Sequence, residues 1–152
     1  VICLLPDAAL SLSEEQRRKI ACALVMVAAA DGALVREEIS AIESIMGAMM
    51  LHPESREEVR QLLTKPPDLD SILEGMETSA IRIALRDGAL LASVDGDYDD
   101  AELTALRRIA KAAGLKEKNL SKILDWVSES WKMGALGRSI ISLPMPGDDD
   151  IL

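Results

Sequence analysis

Residues 30–46 read ADGALVREEISAIESIM, and residues 94–110 read VDGDYDDAELTALRRIA. Side by side the stretches share five residues: Asp31/Asp95, Gly32/Gly96, Glu38/Glu102, Ala41/Ala105 and Ile45/Ile109. Average composition supplies about one such identity. The apolar positions also stay in register 64 residues apart, with Ile39, Ile42 and Ile45 matching Leu103, Leu106 and Ile109. The chain therefore carries an internal duplication, and each acidic signature sits between helix-like segments.

Working outward, Ser13-Glu14-Glu15-Gln16 is a capping-box start, followed by Ile20, Leu24, Val27 and Ala28 at helical spacing. A second helix from about Arg36 turns Ile39, Ile42, Ile45 and Met49 inward and stops before His52-Pro53, and Ser55 with Glu58 opens a third through Val59, Leu62 and Leu63. Lys65-Pro66-Pro67 breaks the chain before a short helix over residues 68–76. The pattern then repeats, with Val59, Leu62 and Leu63 mapping onto Ile123, Trp126 and Val127. Asp87-Gly88, flanked by apolar residues, is a β-hairpin signal. The repeat sets that pair opposite Ala23-Leu24 inside the clearest helix, which decides for helix at a cost of about 1 kcal/mol for glycine. The predicted fold is all-α: about seven helices in two similar three-helix halves, residues 14–63 and 78–127, forming a single compact bundle that takes in the 152 residues as one domain. Gly134, Gly137, Pro144 and Pro146 predict an extended C-terminal arm over residues 134–152.

Composition agrees with a helical chain, because Phe is absent and aromatics reach only 2%. A net charge of −9 with so few aromatics excludes a nucleic-acid surface, which needs clustered cations and stacking rings. The longest apolar run, residues 20–30, is too short to cross a bilayer, and residues 1–5 lack the basic flank of a signal peptide. The expectation is a soluble cytoplasmic protein with no direct membrane insertion. Cys3 and Cys22 are expected reduced, and His52, the single histidine, is expected solvated in its turn. A zinc site of nitrogen and sulfur ligands has no material.

The second signature packs Asp95, Asp97, Asp99, Asp100 and Glu102 into eight residues without a cation among them. Two carboxylates about 5 Å apart repel by roughly 3 kcal/mol at an effective dielectric near 20, so such a group favours a hard cation such as Ca²⁺, Mg²⁺ or Mn²⁺. Helix capping explains part of the same pattern, since Asp99 with Glu102 is a capping pair and first-turn acids gain from the helix dipole. It explains Asp31 and Asp95 less well, because each ends a preceding helix. An EF-hand is excluded: loop positions 6 and 12 would be Asp100 and Leu106. If the halves gather both Asp-Gly turns at one end, Asp31, Glu38, Asp95 and Glu102, with Asp97 as a weaker addition, form a shared cation site. Turns and caps alone are the alternative.

No Glu-x-x-His pair, no His beside a nucleophile and no phosphate loop appears, so the chain is read as a non-enzyme. A carboxylate-based catalyst is the least favoured class, since nothing suggests a sugar cleft. Met26, Met46, Met49 and Met50 are read as core, with an adaptable partner groove as the alternative, and Trp126 and Trp131 as packing at the bundle end, with a surface anchor as the alternative. Protein partners are expected, and a homodimer stays open.

The run Ala28-Ala29-Ala30-Asp31-Gly32 to Glu38-Ile39, with its echo Ser93-Val94-Asp95-Gly96 to Glu102-Leu103, resembles the TerB family of tellurite-resistance proteins. The resemblance covers roughly residues 14–127 and includes the break at Pro66-Pro67. Related domains occur in DnaJ-like co-chaperones, but this sequence has no J-domain His-Pro-Asp. The resemblance implies about seven helices in two halves, a stress-response role, and a divalent-metal site carried by Asp31, Glu38, Asp95 and Glu102. Val35 departs from the family's Ser, Thr or Asp cap.

Overall fold

The computed structural model describes residues 8–94 and 96–152. A 3₁₀ turn, Ala8–Ser11, precedes α1 (Glu14–Ala28), α2 (Arg36–Ala48), α3 (Pro53–Leu62), α4 (Leu69–Glu74), α5 (Thr78–Ala92), α6 (Asp100–Ala112), α7 (Glu117–Ile140) and α8 (Asp148–Ile151). The fold is all-α and compact, and among the described residues no strand forms.

Helix boundaries repeat with the sequence. α1 recurs 64 positions later as α5, α2 recurs as α6 with the same length, and α3 begins 64 positions before α7. Turn chemistry repeats as well. Gly32 and Gly96 take left-handed backbone at φ 84° and 108°, and the ends of α2 and α6 are closed by Met50 (φ 53°) and Gly114 (φ 71°). At both ends the following amide reaches back five residues in the Schellman pattern, Leu51 N–H to Met46 O at 3.2 Å and Leu115 N–H to Ala110 O at 2.9 Å. The repeat also extends further forward than the sequence suggested: the Ala8–Ser11 turn stands in the position of α4, and it packs on α5 as α4 packs on α1.

α1 and α5 form the most extensive helix pair. α1 is apolar on nearly every side, with Ile20, Ala21, Ala23, Leu24, Val25, Val27 and Ala28 all shielded from water, as befits a central helix. Polar contacts tie its flanks to its neighbours. Gln16 donates to Gly75 O (3.2 Å) and accepts from Glu77 N–H (2.8 Å), and Arg17 donates to Met49 O (2.7 Å). Gly88 explains why an Asp-Gly pair sits inside a helix. A methyl group built on it would lie 3.1 Å from Leu106 Cδ2, 3.4 Å from Val27 Cγ2 and 3.8 Å from Leu24 Cδ2.

Three boundaries differ from the sequence reading. α3 starts at Pro53, because proline is pre-set for the first helical position and needs no amide partner there. α7 does not stop at Met133 but runs to Ile140, so residues 134–140 are helical rather than part of an extended arm. Gly134 and Gly137 each cost the helix about 1 kcal/mol relative to alanine, but Ala135 between them is fully buried and Arg138 is clamped to Asp148 at 2.6 Å. Finally, residues 148–151 form α8, which packs back on α7.

The fit around Gly88 yields a graded expectation. Gly88→Ala will be close to neutral, because about 1 kcal/mol of regained helix propensity offsets a tight contact that Leu106 can relieve. Gly88→Val, whose branches meet Val27 and Leu24, will lower stability by about 1–3 kcal/mol. Urea unfolding followed by circular dichroism measures both.

Candidate functional site

The two acidic corners are built alike. In the first, Asp31 is exposed and its Oδ1 accepts Ala33 N–H at 2.9 Å, making a local turn beside Gly32. Glu38 is only 4% exposed and its Oε2 accepts Val35 N–H at 3.1 Å. In the second, Glu102 is 5% exposed and accepts Asp99 N–H at 2.9 Å, while Asp99 Oδ1 accepts Ala101 N–H at 2.7 Å. A buried carboxylate is costly without hydrogen bonds, so each glutamate is held at the third position of its helix by an amide and by the positive end of the dipole. Glu38 makes its half of the capping box even though Val35 has no oxygen to return the other half.

Of the five residues singled out from sequence, Glu38 and Glu102 turn inward as these caps, Asp31 and Asp97 are exposed, and Asp95 lies outside the described residues. Among the described residues no three Asp, Glu, His or Cys side chains converge in a group suited to a metal ion. Tyr98 completes the second corner by donating to Ala89 O at 3.4 Å, and burial pushes its phenol above the usual range. Cys22 is buried in the core, which raises its thiol pKa and keeps it protonated; Cys3 lies outside the described residues.

A second feature escaped the sequence reading. An apolar cleft of about 300 Å³ opens between α2, α5 and α7. Ile45 and Met49 line it from α2, Leu90 and Val94 from α5, and Trp126 and Trp131 from α7. The Trp131 indole N–H donates to Ser93 Oγ at 2.8 Å, and Ser93 in turn donates to Leu90 O at 2.7 Å, so the ring stands as a fixed wall. Asp87, 6% exposed, accepts Arg86 Nε–H at 2.8 Å in the wall of the same cleft. Met46 and Met49 are both core, with Met49 also on the cleft wall, and Met50 is solvent-exposed. Periodicity alone could not distinguish the three methionines. The trace available in sequence was the pair of tryptophans five residues apart on the last helix, next to an ion pair in an apolar run.

Arg138 closes one end of the cleft. Its guanidinium grips Asp148 with two hydrogen bonds, 2.9 and 2.6 Å, and Met145 N–H adds a third at 2.8 Å. Hydrogen bonding to Arg138 is the main cause that lowers the Asp148 carboxyl from 3.8 to about 2. No family model matches the chain, and no curated protein or solved structure matches it.

The Asp148 clasp gives a pH prediction. Its folded pKa lies below the unfolded value of 3.8, so its contribution is present above that value and is lost as the pH falls through about 2. On acidification, NMR of the amides in α8 will show release from α7 only below about pH 4. Asp148→Asn will produce the same release at neutral pH.

Proposed function

We propose that this chain is a non-catalytic, TerB-like helical binding module that takes a short amphipathic helix of a partner protein into the α2–α5–α7 cleft, in a cytoplasmic stress-response assembly. One observation carries the occupant. The repeat makes the α2–α5 groove the counterpart of the α6–α1 groove, and α4 fills that counterpart. α4 does so as a single short helix with Leu69 and Leu73 buried four residues apart. On the other side the repeat sets Ala9 in the place of Leu73, a methyl where the first groove receives an isobutyl group. Among the described residues the cleft is thus a groove of helix-binding shape with less side-chain volume in it, while Leu5, the counterpart of Leu69, lies outside the described residues. Its lining on α5 itself runs from Arg86 to Leu91, about 8 Å at 1.5 Å per residue, and Val94 extends it just past the helix end. Helix-in-groove recognition uses such an apolar floor, with aromatic anchors at the rim.

Both tryptophans of the chain line the cleft, so indole emission reports its occupancy directly. A model peptide with leucines at positions i, i+3, i+4 and i+7 will shift the emission to the blue with one-to-one saturation. Ile45→Glu will weaken that binding by at least about tenfold, because an unpaired carboxylate under the peptide costs more than ~1.4 kcal/mol. Emission that stays unchanged through the titration counts against the cleft as the binding face.

A second reading, Ca²⁺, Mg²⁺ or Mn²⁺ held at the acidic corners, draws on the repeated Asp-Gly turn. The same left-handed glycine is built twice, at Gly32 and Gly96, each after an aspartate in the sequence. A cation at 100 times its dissociation constant adds about 2.7 kcal/mol to stability. Thermal melts with each ion, on the parent chain and on Asp31→Asn with Asp95→Asn, will show a cation-dependent rise in the parent alone if this reading holds.

A further inference from the structure

The C-terminal half of α7 carries an apolar face that no other described residue covers. Met133 is 64% exposed, Leu136 44% and Ile140 74%, and the turn that follows adds Ile141, Leu143 and Met145. Spacings of three and four place Met133, Leu136 and Ile140 on one side of the helix, roughly opposite the buried Val127 and Ala135. From their fractional exposures the six side chains present on the order of 700 Å² per copy, close to the ~800 Å² each partner gives to a standard specific interface. Apolar patches of that size are rarely left to water on a monomer.

Charge selects the occupant. The chain carries a net −9, yet residues 130–147 contain no carboxylate. The two cations there are neutralised within the chain, Lys132 by Glu129 at 2.9 Å and Arg138 by Asp148 at 2.6 Å. The strip is therefore an electrically neutral, apolar band on an acidic molecule. An anionic membrane finds no free cation on it and is repelled by the rest of the protein. A second copy has the same neutral band, so within residues 130–147 no carboxylate is brought against another. Gly137, lying between Met133 and Ile140, has no side chain to hold two such helices apart.

We infer that this chain forms a two-fold symmetric homodimer through the outward face of the C-terminal half of α7, with Met133, Leu136 and Ile140 of one copy packed on the same residues of the other. The contact is self-complementary, as a closed two-fold interface requires. It leaves the cleft open, because the cleft is walled by the opposite side of the helix at Trp131 and Gly134.

Sedimentation velocity on the full chain, from low micromolar to hundreds of micromolar, tests this. The mass is expected to rise from 16.4 kDa toward twice that value. Leu136→Glu and Ile140→Glu should each raise the dissociation constant at least tenfold. Circular dichroism of the dilute variants should stay unchanged, since both side chains face solvent in the monomer. A parent chain that remains monomeric throughout overturns the inference, and so does a dimer that survives both substitutions. Co-sedimentation of monomeric parent with phosphatidylglycerol vesicles, lost on Ile140→Glu, overturns it too and assigns the band to lipid.

Discussion

Everything in this molecule is arranged around the packing of α1 against α5, and that packing turns on a mismatch. Leu24 and Gly88 occupy the same position of the two repeats, and a methyl group on Gly88 would stand 3.8 Å from Leu24 Cδ2. Identical leucines at both positions would crowd the pair, and identical glycines would leave a cavity costing several kcal/mol. One large and one absent side chain let two nearly equivalent helices interlock. Val27 and Leu106 close over the same glycine, so α6 is set by the same fit. The exchange of the Ala8–Ser11 turn and α4 across the halves is possible because α1 and α5 lie side by side.

Much of this was legible in the sequence because it depends on local chemistry with a period. The 64-residue offset fixed the pairing of α1 with α5 and α2 with α6, and caps such as Ser13 and Asp99 mark the starts, with Ser13 Oγ accepting Gln16 N–H at 3.2 Å. Gly88 was readable as helical only through the repeat, since the dipeptide by itself signals a turn. The end of α7 was not readable. Glycine at residues 134 and 137 opposes a helix locally, and what overrides it is tertiary: the burial of Ala135 and the grip of Arg138 on Asp148.

The site divides along the same line. Spacing from the Asp-Gly turn singled out Glu38 and Glu102 as candidate cation ligands; both are buried where an ordinary surface glutamate would be solvated. The Asp99–Glu102 capping pair was legible in the sequence; what spacing did not supply is that Glu38 serves the Val35 amide in the same way. The cleft was out of reach for a different reason. Its walls come from residues as far apart as Ile45, Leu90 and Trp131, on three helices, and no local pattern announces that three half-apolar faces fail to meet.

Comparing the halves element by element shows where the chain departs from its own repeat, and the departures coincide with the cleft and the exposed apolar face of α7. α3 ends at Leu62, the counterpart of Trp126, and is followed by the Pro66-Pro67 break. α7 continues for a further 14 residues beyond Trp126, and those residues supply Trp131, Gly134 and Arg138 to the cleft and Met133, Leu136 and Ile140 to the outward face. The Ala9 methyl, at the position that holds Leu73 in the other half, fills less of the groove that the longer helix walls, among the described residues. Core positions are held to matching apolar character because each half must fit the other. Residues without a counterpart are free of that constraint, and an extra helical segment with one face on a cleft and the other bare has two surfaces available for recognition. The duplicated part of the chain thus builds the core, and its unduplicated extension builds both the cleft wall and the exposed apolar face.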